Sequence, residues 1–144
     1  LLEAAVSNPM QGIDMVNTFS HSMMAPPPST LGPGTWLHGT GRALMRRVLA
    51  SNTEVNVFYR SFKACDSYNG GEQAMAKVQC PTLFVLGEND QMTPPKAAKG
   101  LVALARQATV CNVAAGHALM EEAPDVVLDA LWSFVKPTAV QAKA

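Results

Sequence analysis

The sequence predicts an α/β fold: a βαβα unit of parallel sheet over residues 79–144, preceded over residues 1–78 by a mainly helical segment. Three observations lead there. Thr82-Leu83-Phe84-Val85-Leu86 is a continuous apolar run bounded by Pro81 and Gly87, as expected of a strand covered on both faces. Thr109-Val110-Cys111-Asn112-Val113 reads as a second strand, and a helical pattern fills the interval between the two. The first half is rich in Met, Ser, Asn, Gly and Pro, and its apolar residues recur mostly at helical spacing.

Within that first half, Asn8-Pro9 opens a helix on which Ile13, Val16, Phe19 and Met23 fall at helical spacing. The proline-rich run over residues 25–34 cannot continue a helix and is a loop. A second helix runs from Thr40 or Gly41 to about residue 51, burying Leu44, Val48 and Leu49. Residues 54–65 carry two patterns: Val55, Phe58, Phe62 and Cys65 at helical spacing, and Val55, Val57 and Tyr59 alternating like a strand. The helical set extends further and is preferred. Asn69-Gly70-Gly71 makes a turn, and residues 72–78 form a short helix leading into the first strand.

The second half is plainer. A helix over residues 95–106 places Ala98, Leu101, Val102 and Ala105 on one side. The last helix opens at Pro124, a favoured first-turn residue, with Asp125 complementing the helix N-terminus. Val126, Val127, Ala130, Leu131, Phe134 and Val135 form its apolar stripe, and Pro137 ends it. Two strands alone leave apolar edges wanting partners, so the chain is expected to be incomplete or to borrow strands from another copy.

Composition narrows the function classes. With 144 residues, 48% of them hydrophobic and 15% charged, the chain suits one folded soluble domain. A formal net charge of zero gives no electrostatic case for nucleic acid or an anionic membrane. Arg42, Arg46 and Arg47 read as a solvated helix face. No apolar run approaches the length that spans a bilayer, and the N-terminus lacks a signal-peptide pattern. Cys65, Cys80 and Cys111 are widely spaced, without a CxxC pair or zinc spacing, and read as reduced packing residues of a cytoplasmic protein. The sequence singles out no residues for a metal or cofactor.

In open parallel sheets the chemistry sits in loops just past the carboxyl ends of strands. The first such loop is Gly87-Glu88-Asn89-Asp90-Gln91-Met92-Thr93-Pro94, and the second is Ala114-Ala115-Gly116-His117-Ala118-Leu119-Met120. Neighbouring parallel strands would set Asp90 beside His117, where a carboxylate can orient an imidazole and stabilise the imidazolium formed on proton transfer. Gly116 gives the backbone room to present His117 into a cleft.

These two segments resemble the α/β-hydrolase superfamily. The stretch from Cys80-Pro81-Thr82-Leu83 through Gly87-Glu88-Asn89-Asp90 to Pro94-Pro95 is similar to the family's segment bearing the triad acid, whose position matches Asp90. Gly116-His117, followed by Glu121 or Glu122, Ala123-Pro124 and a terminal amphipathic helix, is similar to the family's ending; its catalytic histidine matches His117. The two lie 27 residues apart with one helix and one strand between them, the family's usual arrangement. The resemblance is close over residues 80–137, and the helical segment before it matches the cap or lid region by position and character.

The family also needs a nucleophile elbow, G-x-S-x-G or an equivalent with Asp or Cys, on a tight strand-to-helix turn. No serine here has flanking glycines at that spacing. With the absent initiator Met and the two-strand sheet, this leads us to expect a chain cut within the cap. The resemblance then implies a hydrolase of small esters or related acyl or C–C bonds, inactive as this chain alone, with His117 as base and Asp90 orienting it. An Asp nucleophile would instead make it an epoxide hydrolase or dehalogenase. The alternative outside enzymology is a non-catalytic half-domain that associates through its open edges. A phosphoacceptor domain centred on Asp90 lacks the acidic pair for magnesium.

The expected partners are a small-molecule substrate and either a second copy or the missing N-terminal part, without nucleic acid or membrane. Trp36, Phe58, Phe62 and Met23 read as packing residues of the helical segment, with an apolar acyl- or ring-binding pocket as the alternative. His21 and His38 read as ordinary polar residues, and Gly39-Thr40-Gly41-Arg42 follows no strand and so is not a phosphate loop.

Overall fold

In the computed structural model, residues 1–22 and 36–136 are described. Two helices open the chain, α1 (Leu2–Ser7) and α2 (Pro9–Ser20). Asn8 separates them; its side chain accepts from the Gln11 amide, and Pro9 takes the first helical position, where no N–H is needed. α1 was not legible in the sequence. On α2, Ile13 and Val16 are buried as the spacing predicts, while Phe19 is exposed. Met23 and the proline-rich run lie outside the described residues.

α3 (Leu37–Ala50) starts three residues earlier than the pattern suggests, and its buried residue is Gly41 rather than an aliphatic one. Leu44 and Val48 are exposed, and Leu49 is half-buried. The reason is close backbone approach. A Cβ on Gly41 would stand 2.8 Å from Asn17 Oδ1 and 3.3 Å from His21 Cε1, so α3 meets α2 through its glycine face. Asn17 Nδ2 donates to the His38 carbonyl at 2.7 Å, and Arg42 grips Asp14 with two hydrogen bonds. Arg42 is therefore an inter-helix clamp, whereas Arg46 and Arg47 are exposed.

Residues 54–65 resolve in favour of helix: α4 (Val57–Ser67) is capped by Asn56, whose side chain accepts from the Tyr59 amide and donates to the Ala5 carbonyl. Phe58 and Phe62 stack 6.4 Å apart on its half-buried face, and Trp36 is exposed, so none of the three lies in a closed core. A short α5 (Gly71–Met75) leads to the sheet.

The βαβα unit is present as the sequence predicts. β1 (Thr82–Gly87) and β2 (Ala108–Val113) pair in parallel, from Thr82 opposite Ala108 to Gly87 opposite Val113, with α6 (Pro95–Leu104) between them. A one-turn α7 (Leu119–Glu122), not anticipated, precedes α8 (Pro124–Val135). Pro137 lies outside the described residues.

The coverage of the sheet differs from expectation. β1 is only half-buried and β2 is largely exposed; on α8, Val127 alone is buried, while Val126, Leu128, Leu131, Trp132 and Val135 stand open. Cys65 and Cys80 are exposed rather than packed, and Cys111 is half-buried. Two strands flanked by α6 and α8 cannot supply the neighbours that a doubly covered parallel sheet needs. At roughly 25 cal/mol per Å² of apolar surface, leaving that face in water forgoes the stabilisation its burial would bring. No helix among the described residues is long and apolar enough to cross a membrane.

Candidate active site

The strand register brings the two loops level. Because Gly87 faces Val113, β1 and β2 end together, and the chain leaves both ends on the same side. The loops then bond to each other: the Glu88 amide donates to the Val113 carbonyl at 2.8 Å, and the Asn89 amide to the Ala115 carbonyl at 3.0 Å. Gly87 makes this possible. A Cβ there would lie 2.3 Å from the Gly116 carbonyl oxygen and 2.7 Å from that of Ala115, closer than any side chain tolerates.

Asp90 and His117 meet across this seam. The His117 Nδ1 lies 2.9 Å from Asp90 Oδ2. Asp90 is buried, its side chain 6% exposed, whereas the His117 side chain is 41% exposed. The other carboxylate oxygen, Oδ1, accepts from the amides of Met92 at 2.8 Å and Thr93 at 2.9 Å. The turn-closing role that a lone Asp after Gly87 would have is thus filled by the same side chain that faces the imidazole. The Thr93 hydroxyl donates to Asp90 Oδ2 at 2.9 Å and stands 3.1 Å from His117 Nδ1. Thr93 is a site residue that sequence reading missed; its place three residues after the acid was the available signal.

Protonation follows from the partners. Burial alone would raise the Asp90 carboxyl, but the Thr93 amide, His117, the Thr93 hydroxyl and the Met92 amide together hold it below its ordinary value. Hydrogen bonds to a charged acceptor contribute roughly 1.5–3 kcal/mol each, so several of them outweigh the desolvation cost. Against an ionised carboxylate, His117 Nδ1 is the donor, which leaves Nε2 as the basic nitrogen. Nε2 has no protein partner among the described residues.

His21, read from sequence as an ordinary polar residue, is buried beside this site. So is Glu122, whose Oε2 accepts from the Gly116 amide at 3.1 Å and the Ser22 amide at 3.0 Å. Gly116 does more than loosen the turn: a Cβ there would lie 2.6 Å from the Ser22 nitrogen and 2.8 Å from Glu122 Oε1. The end of α2 also bonds to both loops, through Ala118 N–H to the Ser20 carbonyl at 2.8 Å and Ser20 Oγ to Met92 Sδ at 3.2 Å. Among the described residues no group of three His, Cys, Asp or Glu is placed to hold a metal ion.

A sequence profile of the alpha/beta hydrolase family matches residues 1–130. The chain belongs to the α/β-hydrolase family. Among solved structures it is similar to a thermophilic esterase, with 20% identity and a TM-score of 0.69 over 94% of this chain and 49% of the esterase. It is also similar to a membrane phospholipase A, described as a bacterial virulence factor, with 20% identity and a TM-score of 0.60 over 87% of this chain and 37% of that one. The chain thus spans about half the length of the esterase it matches. No curated protein matches it.

The depressed Asp90 carboxyl has a consequence for folding. Its contribution to stability is complete above the unfolded value of 3.8 and is lost as pH falls through the lower native value. Urea unfolding between about pH 5 and 2 should therefore show a smaller acid loss for Asp90→Asn than for the wild type. Equal acid slopes would show that Asp90 is not held ionised by its partners.

Proposed function

We propose that this chain supplies the acid and the base of a nucleophile–His–Asp triad acting on small carboxylic esters. The observation that carries the reading is the 2.9 Å contact between His117 Nδ1 and buried Asp90, with Nε2 left without a hydrogen-bond partner among the described residues. His117 takes the proton from the nucleophile as it attacks the carbonyl carbon, then returns it to the leaving alcohol. Asp90 holds the ring in the Nδ1–H tautomer and stabilises the imidazolium between those two transfers. The nucleophile and the oxyanion donors come from outside these 144 residues, since no elbow motif occurs within them.

Ester substrates are favoured over epoxides or haloalkanes because an esterase and a phospholipase are among the similar structures, both named as ester-cleaving enzymes. In this reading residues 1–78 belong to the cap, whose half-buried Phe58 and Phe62 line an open cavity of about 220 Å³ with Val48 and Val57. The exposed face of α8 and β2 belongs against the remainder of the sheet.

The test is turnover of a p-nitrophenyl ester. This chain alone should give none, and an enzyme joining it to a nucleophile-bearing segment should hydrolyse the ester. In that enzyme His117→Ala should lower kcat/KM by about 10³-fold or more, and Asp90→Asn by a comparable factor. Near-normal turnover of His117→Ala would remove His117 from the triad.

Without its complement, the chain should self-associate through the α8–β2 face. Light scattering is expected to give a dimer or larger species that Trp132→Glu shifts towards monomer. A monodisperse wild-type monomer would contradict the assignment of that face.

A further inference from the structure

Outside the Asp90–His117 pair, His21 is one of the residues that tie the helical segment to the His117 loop. His21 caps the C-terminus of α2 and is only 9% exposed. Both of its ring nitrogens face acceptors: Nδ1 is 2.8 Å from the Asn17 carbonyl oxygen, and Nε2 is 3.3 Å from Glu121 Oε2. A carbonyl can only accept, so Nδ1 carries a proton. A neutral ring would then aim its Nε2 lone pair at a carboxylate. The imidazolium donates to both partners, and its charge suits the C-terminal end of α2.

The other groups facing the ring are accounted for. The His38 ring on α3 lies 5.9 Å away and opposes the charge only when it is itself protonated. Gly41 of α3 walls one side. The neighbouring α7 carboxylate, Glu122, is engaged with the Gly116 and Ser22 amides. Glu121 is thus the acidic partner that the ring addresses directly.

We propose that His21 in its doubly protonated form is a positioning residue, latching α2 through Glu121 to the turn that follows His117. The latch acts on a short span. Glu121 sits on α7 four residues after His117, and beside it Ala118 N–H bonds the Ser20 carbonyl while Glu122 bridges Gly116 to Ser22. When His21 loses its proton, the repulsion between Nε2 and Glu121 removes one of the contacts between this turn and α2, leaving the Ala118–Ser20 and Glu122–Ser22 bonds, and loosens the loop carrying His117. The functional meaning rests on His117 being the base; the latch itself does not.

Amide hydrogen exchange reads the latch without catalysis, so its failure and that of the triad assignment are separable. In the wild-type chain, protection of residues 114–122, corrected for chemical exchange and measured against the β1 amides, should fall about tenfold between roughly pH 5 and 8. Glu121→Gln removes the carboxylate from an exposed position, and its amide can donate to a neutral Nε2. Exchange in this variant should not follow pH over that range. A pH-independent wild type, or the same fall in Glu121→Gln, overturns the proposal.

Discussion

The parallel pairing of β1 and β2 puts Gly87 opposite Val113, and the meeting of the Asp90 and His117 loops follows from that register. Two strands ending level on one side send their loops over the same edge, where the loop backbones bond directly. This contact closes only because Gly87 has no Cβ, the Gly116 carbonyl occupying the space one would need. A shift of either strand by one residue would turn its side chains to the other face and separate the acid from the histidine. The pair is therefore a property of the sheet edge before it is a property of the two side chains.

Polar partners then fix what the register brings together. Asp90 is buried yet ionised because its oxygens are filled by two amides, a hydroxyl and an imidazole. Glu122 performs a parallel service on the other loop, accepting from the backbone on either side of the α2 contact. The arrangement is asymmetric: a buried, saturated carboxylate stands behind a half-open imidazole. That asymmetry suits an acid that orients and a base that moves protons.

Much of this was legible in sequence where a local pattern carried it. The apolar run into Gly87, the second strand and the Pro-initiated helices each appear within two or three residues of their expected bounds. Asp90 and His117 were placed by their position after strands. What escaped was tertiary. Leu44 and Val48 look like core on a helical wheel, but α3 packs through Gly41, and glycine carries no apolar signal. The doubly covered sheet was inferred from β1 composition, which records the environment a strand suits rather than the neighbours actually present. His21 and Glu121 are 100 residues apart, so no window of sequence could pair them. Thr93 was hidden for a different reason: a threonine in a turn is unremarkable until its hydroxyl is found between the acid and the base.

Asp90, 2.9 Å from Nδ1, should fix His117 with its proton on Nδ1 and its basic lone pair on Nε2. Nitrogen-15 NMR of the His117 ring measures this directly, through the distinct shifts of protonated and bare ring nitrogens. The neutral ring should carry its proton on Nδ1, with that preference lost in Asp90→Asn. A neutral ring protonated at Nε2, or a tautomer indifferent to Asp90, would contradict it.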